Sequence, residues 1–277
     1  MTIIHIHNMS LIPYGIYCKF IGAKVLLNIH NSLKNFTIAQ TCMLRCGILV
    51  FDGFVPVSFS VGKELNCAYP SIAPKMTPIC NGVQIEPLEK VNNLLVVGKK
   101  EIDLIVVARF VEQKNIFRIL NIIMKSNKIK NTVWYGEGVY FEKAQKITEK
   151  SSLNQTFQYR GVKPREEVLN AINRSTIYLS LSIWEGLGVA NMEALSLPTE
   201  VVLSDIPAHR EMHDRGNLTL VSLSLSDETI VDMLDALIDK YESRAQWLLN
   251  RAREARVKNN VVGMVRKYID VYQSLIE

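Results

Sequence analysis

Two glutamates and two glycines follow an apolar stretch in the second half of the chain, in a spacing that suits a phosphorylated ligand. The segment Trp184-Glu-Gly-Leu-Gly-Val-Ala-Asn-Met-Glu-Ala-Leu comes just after the predicted strand Thr176–Leu181 and contains Glu185 and Glu193. If a helix begins within this segment, the backbone N–H groups of Gly186–Val189 point outward at its N-terminus and can bind an anion such as phosphate. Glu193 then lies about one to two turns along the helix, where its carboxylate can accept hydrogen bonds from a ribose. The alternative is a glycine turn that only shapes the chain, with both glutamates solvated.

Two cations follow another predicted strand, Asp103–Ala108. Arg109 and Lys114 come after its carboxyl end, the edge at which open α/β sheets bind ligands. There they can neutralise a diphosphate, although lysine and arginine are also common as plain surface charges in such loops. After the next predicted strand, Thr132–Tyr135, Gly136 opens a Gly-Glu-Gly turn at the same edge.

Two histidines alternate along the first predicted strand. His5 and His7 point to the same face of that strand, so a metal site with His30 or His209 as third ligand is one interpretation. The absence of a carboxylate or third histidine at matching spacing argues against it. The simplest alternative is a histidine that caps the strand by bonding to neighbouring backbone.

The elements that must position these residues follow from the apolar pattern. From residue 103 onward short β-branched runs alternate with longer amphipathic runs, which is typical of a parallel sheet covered by helices. The strands predicted there are Asp103–Ala108, Thr132–Tyr135, Thr156–Tyr159, Thr176–Leu181, Val201–Ser204 and Leu218–Val221. Before residue 103 the predicted strands are Ile3–His7, Val25–Ile29, Val55–Ser58 and Met76–Ile79, with helices near Ile12–Ile21 and Phe36–Cys46. Val83–Lys100 is predicted to be a linker, and the chain after Asp227 is predicted to be helical. The fold class is therefore α/β.

Taken together, these segments resemble the family-4 retaining glycosyltransferases of the GT-B fold. The resemblance rests on Arg109 with Lys114, on Gly-Glu-Gly138 in place of the usual Gly-Asp-Gly, on the Tyr-Arg-Gly161 loop, and on Glu-Gly-Leu-Gly with Glu185 and Glu193 at the family spacing. In the first third of the chain, Asn81-Gly82-Val83 is similar to the Pro-Asn-Gly-Val-Asp that closes the family's N-terminal domain.

The fold implied by the resemblance has two Rossmann-like domains around a cleft, with the first half of the N-terminal domain missing here. It divides the chain into a partial, acceptor-side N-terminal domain at residues 1–85, a nucleotide-sugar donor-binding domain at 86–260, and a helix at 261–277 that crosses back to the first domain. The first strand would then be an open sheet edge, which a second chain could cover.

The resemblance also implies roles for individual residues. Arg109 and Lys114 would hold the donor diphosphate, Glu193 would bind the ribose, and Glu185 would face the transferred sugar. His7, as the second histidine of a His-x-His, would face the donor sugar as well. Backbone or apolar contacts to the donor would come from Gly136, Val162, Gly186, Leu187, Gly188 and Val189.

The function implied is retaining transfer of a sugar, of the hexosyltransferase type, from a nucleotide-diphosphate donor to a glycan or lipid-linked acceptor. Bacterial surface polysaccharide or lipopolysaccharide synthesis is the implied setting. UDP is the favoured nucleotide, with GDP and ADP left open, and neither a cofactor nor a metal is expected. The alternatives are a nucleotide-sugar-binding remnant or split-enzyme half without transfer activity, and a different GT-B enzyme such as a sugar-nucleotide epimerase.

The amino-acid composition excludes several classes of protein. Of 277 residues, 48% are hydrophobic and 21% charged, which excludes disordered and collagen-like chains. The net charge of +5 is spread along the sequence without a basic block, so we expect no nucleic-acid partner. No run approaches the length of a membrane span and the N-terminus lacks the features of a secretory signal. We therefore expect a cytoplasmic protein, with weak peripheral association at the inner face of the cell membrane as an open option.

Overall fold

The computed structural model of the chain describes residues 2–84, 100–150 and 157–277. By their internal contacts the residues form two compact units. The first unit comprises Met1–Gln84, Glu185–Gly188 and Asn259–Glu277, and the second comprises Ile85–Trp184 and Val189–Lys258. The predicted linker Val83–Lys100 lies outside the described residues except at its two ends. The predicted domain division at 1–85, 86–260 and 261–277 stays a prediction.

The first unit is built on a parallel sheet of three strands in the order β1-β2-β3. Its elements are β1 (Ile3–Ile6), α1 (Ile12–Phe20), β2 (Lys24–Ile29), α2 (Ile38–Val50), β3 (Gly53–Pro56), α3 (Phe59–Ala68) and, from the end of the chain, the helix Val261–Ile276. Alternating residues of β2 face opposite sides of the sheet. Val25, Leu27 and Ile29 enter a core that also holds Phe51 and Phe54.

The other face of this sheet packs against the last helix. Leu26, Val55 and Ile79 are buried there against side chains of Val261–Ile276, namely Met264, Tyr268, Val271, Tyr272 and Leu275. Asn260 caps this helix by accepting a hydrogen bond from the Gly263 N–H at 2.7 Å. The helix begins at the predicted residue 261 and ends at Ile276, one residue before the predicted end.

The second unit contains a parallel sheet of six strands in the order β6-β5-β4-β7-β8-β9. Its elements are β4 (Ile102–Val107), α4 (Ile116–Lys125), β5 (Thr132–Tyr135), α5 (Phe141–Glu149), β6 (Phe157–Gly161), α6 (Arg165–Asn173), β7 (Ser175–Ser180), α7 (Val189–Leu195), β8 (Glu200–Ser204), α8 (Pro207–Gly216), β9 (Thr219–Val221) and α9 (Asp227–Lys258). The last helix of the first unit, Val261–Ile276, is α10. Since β4 pairs with β7 at the centre, the strand order reverses there, as in doubly wound sheets.

Aromatic packing fixes the loop after β4. Phe110 and Trp134 are fully buried and stack with their ring centroids 4.6 Å apart. The Trp134 indole N–H donates to the carbonyl oxygen of Ala108 at 2.9 Å. The backbone at the carboxyl end of β4 is thereby held from the core side, immediately before Arg109.

One expected strand is absent from the described residues. The segment Met76–Ile79 makes only an isolated bridge, between Met76 and Phe54, together with single hydrogen bonds from Thr77 and Ile79 to the backbone of β3. Pro78 lies between these two donors, and a proline has no N–H to give to a ladder. The strand prediction for this segment is therefore wrong.

Candidate functional site

A pocket of about 300 Å³ lies in the second unit, at the carboxyl ends of neighbouring strands. Its lining includes four of the predicted site residues, Arg109, Lys114, Gly136 and Val162. They come from the loops that follow β4, β5 and β6, which are adjacent in the sheet. The pocket therefore collects the residues that were predicted to hold a diphosphate and a nucleobase.

Close backbone packing positions the Arg109 side of this pocket. Gly136 has a φ of +135°, and a Cβ added to it would lie 2.1 Å from the carbonyl oxygen of Ala108. The Ala108 N–H donates to the Tyr135 carbonyl at 3.0 Å, and the Gly136 N–H donates to the Gly161 carbonyl at 2.9 Å. Only glycine allows this approach and this φ, so the chain is held together where β4, β5 and β6 end and their loops begin.

Sequence reasoning missed part of the lining. Lys163, Tyr135 and Val168 also face the pocket. Lys163 brings a third cation beside Arg109 and Lys114, and its position four residues after the end of the predicted strand Thr156–Tyr159 was the only signal for it. Burial, followed by the charge of Glu167, raises the pKa of the Tyr135 phenol, and its hydroxyl donates to Glu167 Oε1 at 3.5 Å.

Glu193 lies on α7 and is buried, with 9% of its surface exposed. Its Oε1 accepts a hydrogen bond from Nε of Arg165 at 2.5 Å. Arg165 is the first residue of α6, directly after the loop that carries Val162 and Lys163. The pair therefore joins the helix that bears the predicted ribose ligand to the helix that follows the pocket loop.

Buried hydrogen bonds hold α7 in place beneath Glu193. Asn191 accepts from the Tyr178 hydroxyl at 2.8 Å, and its side-chain nitrogen lies 3.0 Å from His209 Nε2. Nδ1 of His209 is 2.8 Å from the carbonyl oxygen of Ser204. The carbonyl can only accept, so Nδ1 carries the proton and Nε2 accepts from Asn191. His209 is fully buried in this network, which gives it a structural role.

The residues Glu185–Gly188 belong by their contacts to the first unit. A Cβ added to Gly186 would lie 1.9 Å from the carbonyl oxygen of His30, so this position excludes every side chain. Leu187 is buried, and Gly188 has a φ of +81° just before α7 begins at Val189. The predicted helix start near Gly188 is confirmed to within a residue.

His7 lies in a polar cluster on the sheet of the first unit. Its Nδ1 is 3.3 Å from His30 Nε2 and 3.3 Å from the side-chain nitrogen of Asn28. The same Asn28 nitrogen donates to the Tyr268 hydroxyl at 2.8 Å. His5 stands beside His7, with ring centroids 4.0 Å apart. The rings of His5 and His7 therefore lie side by side, as predicted, although β1 ends at Ile6 and His7 follows it.

Two histidines of this cluster, His5 and His30, have lowered pKa values. Burial, with the neighbouring histidine charges second, lowers the pKa of His5 to about 4. Burial and then the charge of His7 lower the pKa of His30. Within residues 2–84, 100–150 and 157–277, the histidines, cysteines and carboxylates form no group of three or more that could hold a metal ion.

The structure thus assigns the predicted residues to two groups. Arg109, Lys114, Gly136, Val162, Val189 and Glu193 are in the second unit, whereas His7, Glu185, Gly186, Leu187 and Gly188 are in the first. The roles given to these residues at the sequence level stay predictions. In the part of the chain that the structure describes, no helix has an apolar stretch long enough to cross a bilayer.

Comparison with known proteins decides the family. The family model for glycosyl transferases group 1 matches residues 90–254, more than half of the chain. The chain belongs to the group 1 glycosyl transferases. A relative of this group 1 chain is the GtfA subunit of the UDP-N-acetylglucosamine–peptide N-acetylglucosaminyltransferase from Streptococcus agalactiae. It is 26% identical over 144 residues, which are 51% of this chain and 28% of that protein. The match thus spans less than a third of that relative's length.

Solved structures confirm the fold of this group 1 glycosyl transferase. HepE of Anabaena, crystallised with UDP, superposes with a TM-score of 0.82 at 14% identity, covering 99% of this chain and 79% of HepE. The pneumococcal O-GlcNAc transferase GtfA, crystallised with UDP and GlcNAc, superposes with a TM-score of 0.72 at 16% identity, covering 92% of this chain and 53% of GtfA. Sucrose-phosphate synthase from Thermosynechococcus elongatus gives 0.81 at 13% identity, over 99% of this chain and 73% of that enzyme. The predicted α/β fold of the GT-B type, with parallel sheets, is confirmed.

Proposed function

We propose that the chain transfers a hexose-type sugar from a nucleotide-diphosphate donor to a glycan or lipid-linked acceptor, with retention at the anomeric carbon. The observation that carries the proposal is the pocket in the second unit, where Arg109, Lys114 and Lys163 meet the backbone of Gly136 and Gly161. Three cations beside glycine-permitted backbone match the charge and bulk of a diphosphate.

The reaction needs stabilisation of a leaving group. When the bond between the sugar and the diphosphate breaks, negative charge grows on the diphosphate oxygens. Cations that are already in position stabilise that charge without reorganisation, and this is the role proposed for Arg109 and Lys114. Val162 and the loop around it would lie against the nucleobase. In this scheme no cofactor or metal is required.

UDP is the proposed nucleotide. It is supported by the UDP bound to HepE and to pneumococcal GtfA and by the UDP-N-acetylglucosamine in the name of the streptococcal relative. Retention would follow from attack on the face that the diphosphate leaves, and it needs no enzyme nucleophile. The family resemblance alone supports a place in bacterial surface polysaccharide or lipopolysaccharide synthesis, at the cytoplasmic face of the membrane. A second chain along the edge strand β1 also remains a proposal.

Nucleotide binding is the first test. Thermal unfolding of the chain would be followed with UDP, GDP and ADP, and with their sugar conjugates. A ligand at about 100 times its Kd adds about 2.7 kcal/mol, which raises the Tm by about 5–10 °C for a unit of this size. Lys114→Ala should remove most of the shift, because it deletes a pocket cation. Arg253→Ala, which deletes an exposed cation on α9, is the matched control and should keep it.

A turnover assay separates the proposed transferase from a binding protein. Release of UDP from UDP-sugars, with and without added glycan or lipid-linked acceptors, would be measured on the same preparation. Acceptor-dependent release with the α-anomeric configuration preserved supports the proposal. Binding without turnover would indicate a nucleotide-sugar-binding protein. Formation of an isomerised sugar without any acceptor would indicate an epimerase. A chain that binds none of the nucleotides would refute the proposal as a whole.

A further inference from the structure

The ion pair between Glu193 and Arg165 joins a buried group to an exposed one. The Glu193 side chain is 12% exposed and the Arg165 side chain 49% exposed. Within the described residues, Oε1 of Glu193 accepts from Arg165 Nε, and Oε2 accepts no hydrogen bond. The arginine therefore fixes one oxygen of the carboxylate and leaves the other available to a ligand donor.

Arg165 is poorly placed to stabilise its own helix. It is the first residue of α6, followed by Glu166 and Glu167. The N-terminus of a helix carries partial positive charge, which favours the two glutamates and disfavours an arginine. Its contact with Glu193 accounts better for an arginine at this position than helix stability does.

The position of Arg165 also links the carboxylate to the pocket. Lys163 and Val168, on either side of Arg165 in the sequence, line the pocket that holds Arg109 and Lys114. If the phosphates of a nucleoside diphosphate meet these cations, Arg165 is the residue that connects the loop beside them to the Glu193 carboxylate. A carboxylate with one oxygen held accepts a hydrogen bond from a ribose hydroxyl in a fixed direction. Hydrogen bonds to an ionised oxygen are stronger than those between neutral groups.

We propose that Arg165 is a positioning residue that orients the Glu193 carboxylate toward the ribose hydroxyls and so makes the site selective for ribonucleotide over deoxyribonucleotide donors. This inference rests on the proposed function, because it requires a nucleoside diphosphate in the pocket. It adds a residue, and a specificity, that the sequence did not reveal.

The test compares two ligands that differ only in the sugar. Calorimetry would measure the Kd of UDP and of 2′,3′-dideoxy-UDP, which keeps the base and both phosphates but lacks both ribose hydroxyls. The unaltered chain should bind UDP about 10- to 100-fold more tightly, as expected for hydrogen bonds to a charged group. Arg165→Ala should lower this ratio by about 5-fold or more while the Kd of the dideoxy compound stays within about 2-fold. Arg165→Lys keeps the charge but lacks the planar guanidinium. Its ratio should lie between those of the unaltered chain and of Arg165→Ala.

A matched control is available in the strand that precedes this loop. Arg160→Ala removes an exposed arginine of β6 that bonds to Gln158, and it should leave the ratio unchanged. Should Arg165→Ala fail to fold, Arg165→Gln, which keeps a neutral donor, replaces it and should also lower the ratio.

The outcomes separate this inference from the proposed function. Equal weakening of both ligands would show that Arg165 only supports the structure, and tighter binding of UDP in Arg165→Ala would show that the arginine competes with the ribose. Either result overturns the inference and leaves the proposed function standing. Failure of the unaltered chain to bind any nucleotide would overturn both.

Discussion

Replacing Gly136 with alanine should damage the pocket and the second unit together. The added Cβ would lie 2.1 Å from the Ala108 carbonyl oxygen and 2.8 Å from its carbon, both backbone atoms. No rotamer change can relieve contacts made by a Cβ against a main chain, so one of the two loops must move by about 1 Å. The φ of +135° is in addition one that L-residues rarely adopt.

The cost can be worked from these contacts. The unfavourable φ contributes about 1–3 kcal/mol. The movement weakens the bonds from Ala108 to Tyr135 and from Gly136 to Gly161, at about 1 kcal/mol each. We therefore expect the free energy of unfolding to fall by about 3–5 kcal/mol. Because the same movement shifts Arg109, UDP affinity should fall about 10-fold or more.

Urea unfolding of the purified variants would measure the first effect, and calorimetry with UDP the second. Gly161→Ala is the matched control: its φ is +65°, and its Cβ would meet only Glu137 Oε1, at an ordinary 3.5 Å. Gly161→Ala should lower the free energy of unfolding by about 1 kcal/mol, because only the positive φ is unfavourable. If Gly136→Ala costs no more than this control and leaves UDP affinity intact, the close approach at Ala108 is not what holds the pocket.

Three further outcomes are expected. Acidification from about pH 6.5 to about 4 should destabilise the chain. Burial lowers the pKa of His5 to about 4, so His5 takes up its proton at a higher pH in the unfolded chain than in the folded one. Urea titrations should show that the free energy of unfolding falls less between pH 7 and pH 5 in His5→Gln than in the unaltered chain. Glu185→Ala should reduce sugar transfer far more than UDP affinity, and equal reductions in kcat and affinity would contradict the role given to Glu185. Arg244→Met should lower the free energy of unfolding by about 3 kcal/mol because Glu200, 2% exposed and paired with Arg244, would lose its partner; Arg253→Met should change it by less than about 0.5 kcal/mol.

The sequence predicts those elements of the fold that depend on short, local segments. The strand Thr132–Tyr135 has the predicted bounds, and the helix Val261–Ile276 begins at the predicted residue, since β-branched runs and helical apolar spacing are both properties of short segments. The segment Met76–Ile79 shows the limit of this reasoning. It has the composition of a strand, but Pro78 interrupts the ladder with its neighbour.

The pocket could be predicted for a related reason. Arg109, Gly136 and Val162 follow strands whose carboxyl ends share one edge of a parallel sheet, so topology brings them together whatever the details of packing. The pairing of Glu193 with Arg165 depends instead on how two helices of the folded unit approach each other. No spacing in the sequence encodes that distance, and the arginine was missed.

The packing of α10 on the first sheet has a consequence for synthesis. Leu26, Val55 and Ile79 are covered by residues from Met264 onward, and Met264 lies 185 positions after Ile79. At about 5–20 residues per second, the ribosome needs about 10–40 s to make the intervening chain. During that time nearly all of the second unit is made, whereas one face of the earlier sheet stays uncovered. The sheet of the first unit is therefore completed only after the second unit has been made, and its apolar face stays exposed on the nascent chain until then.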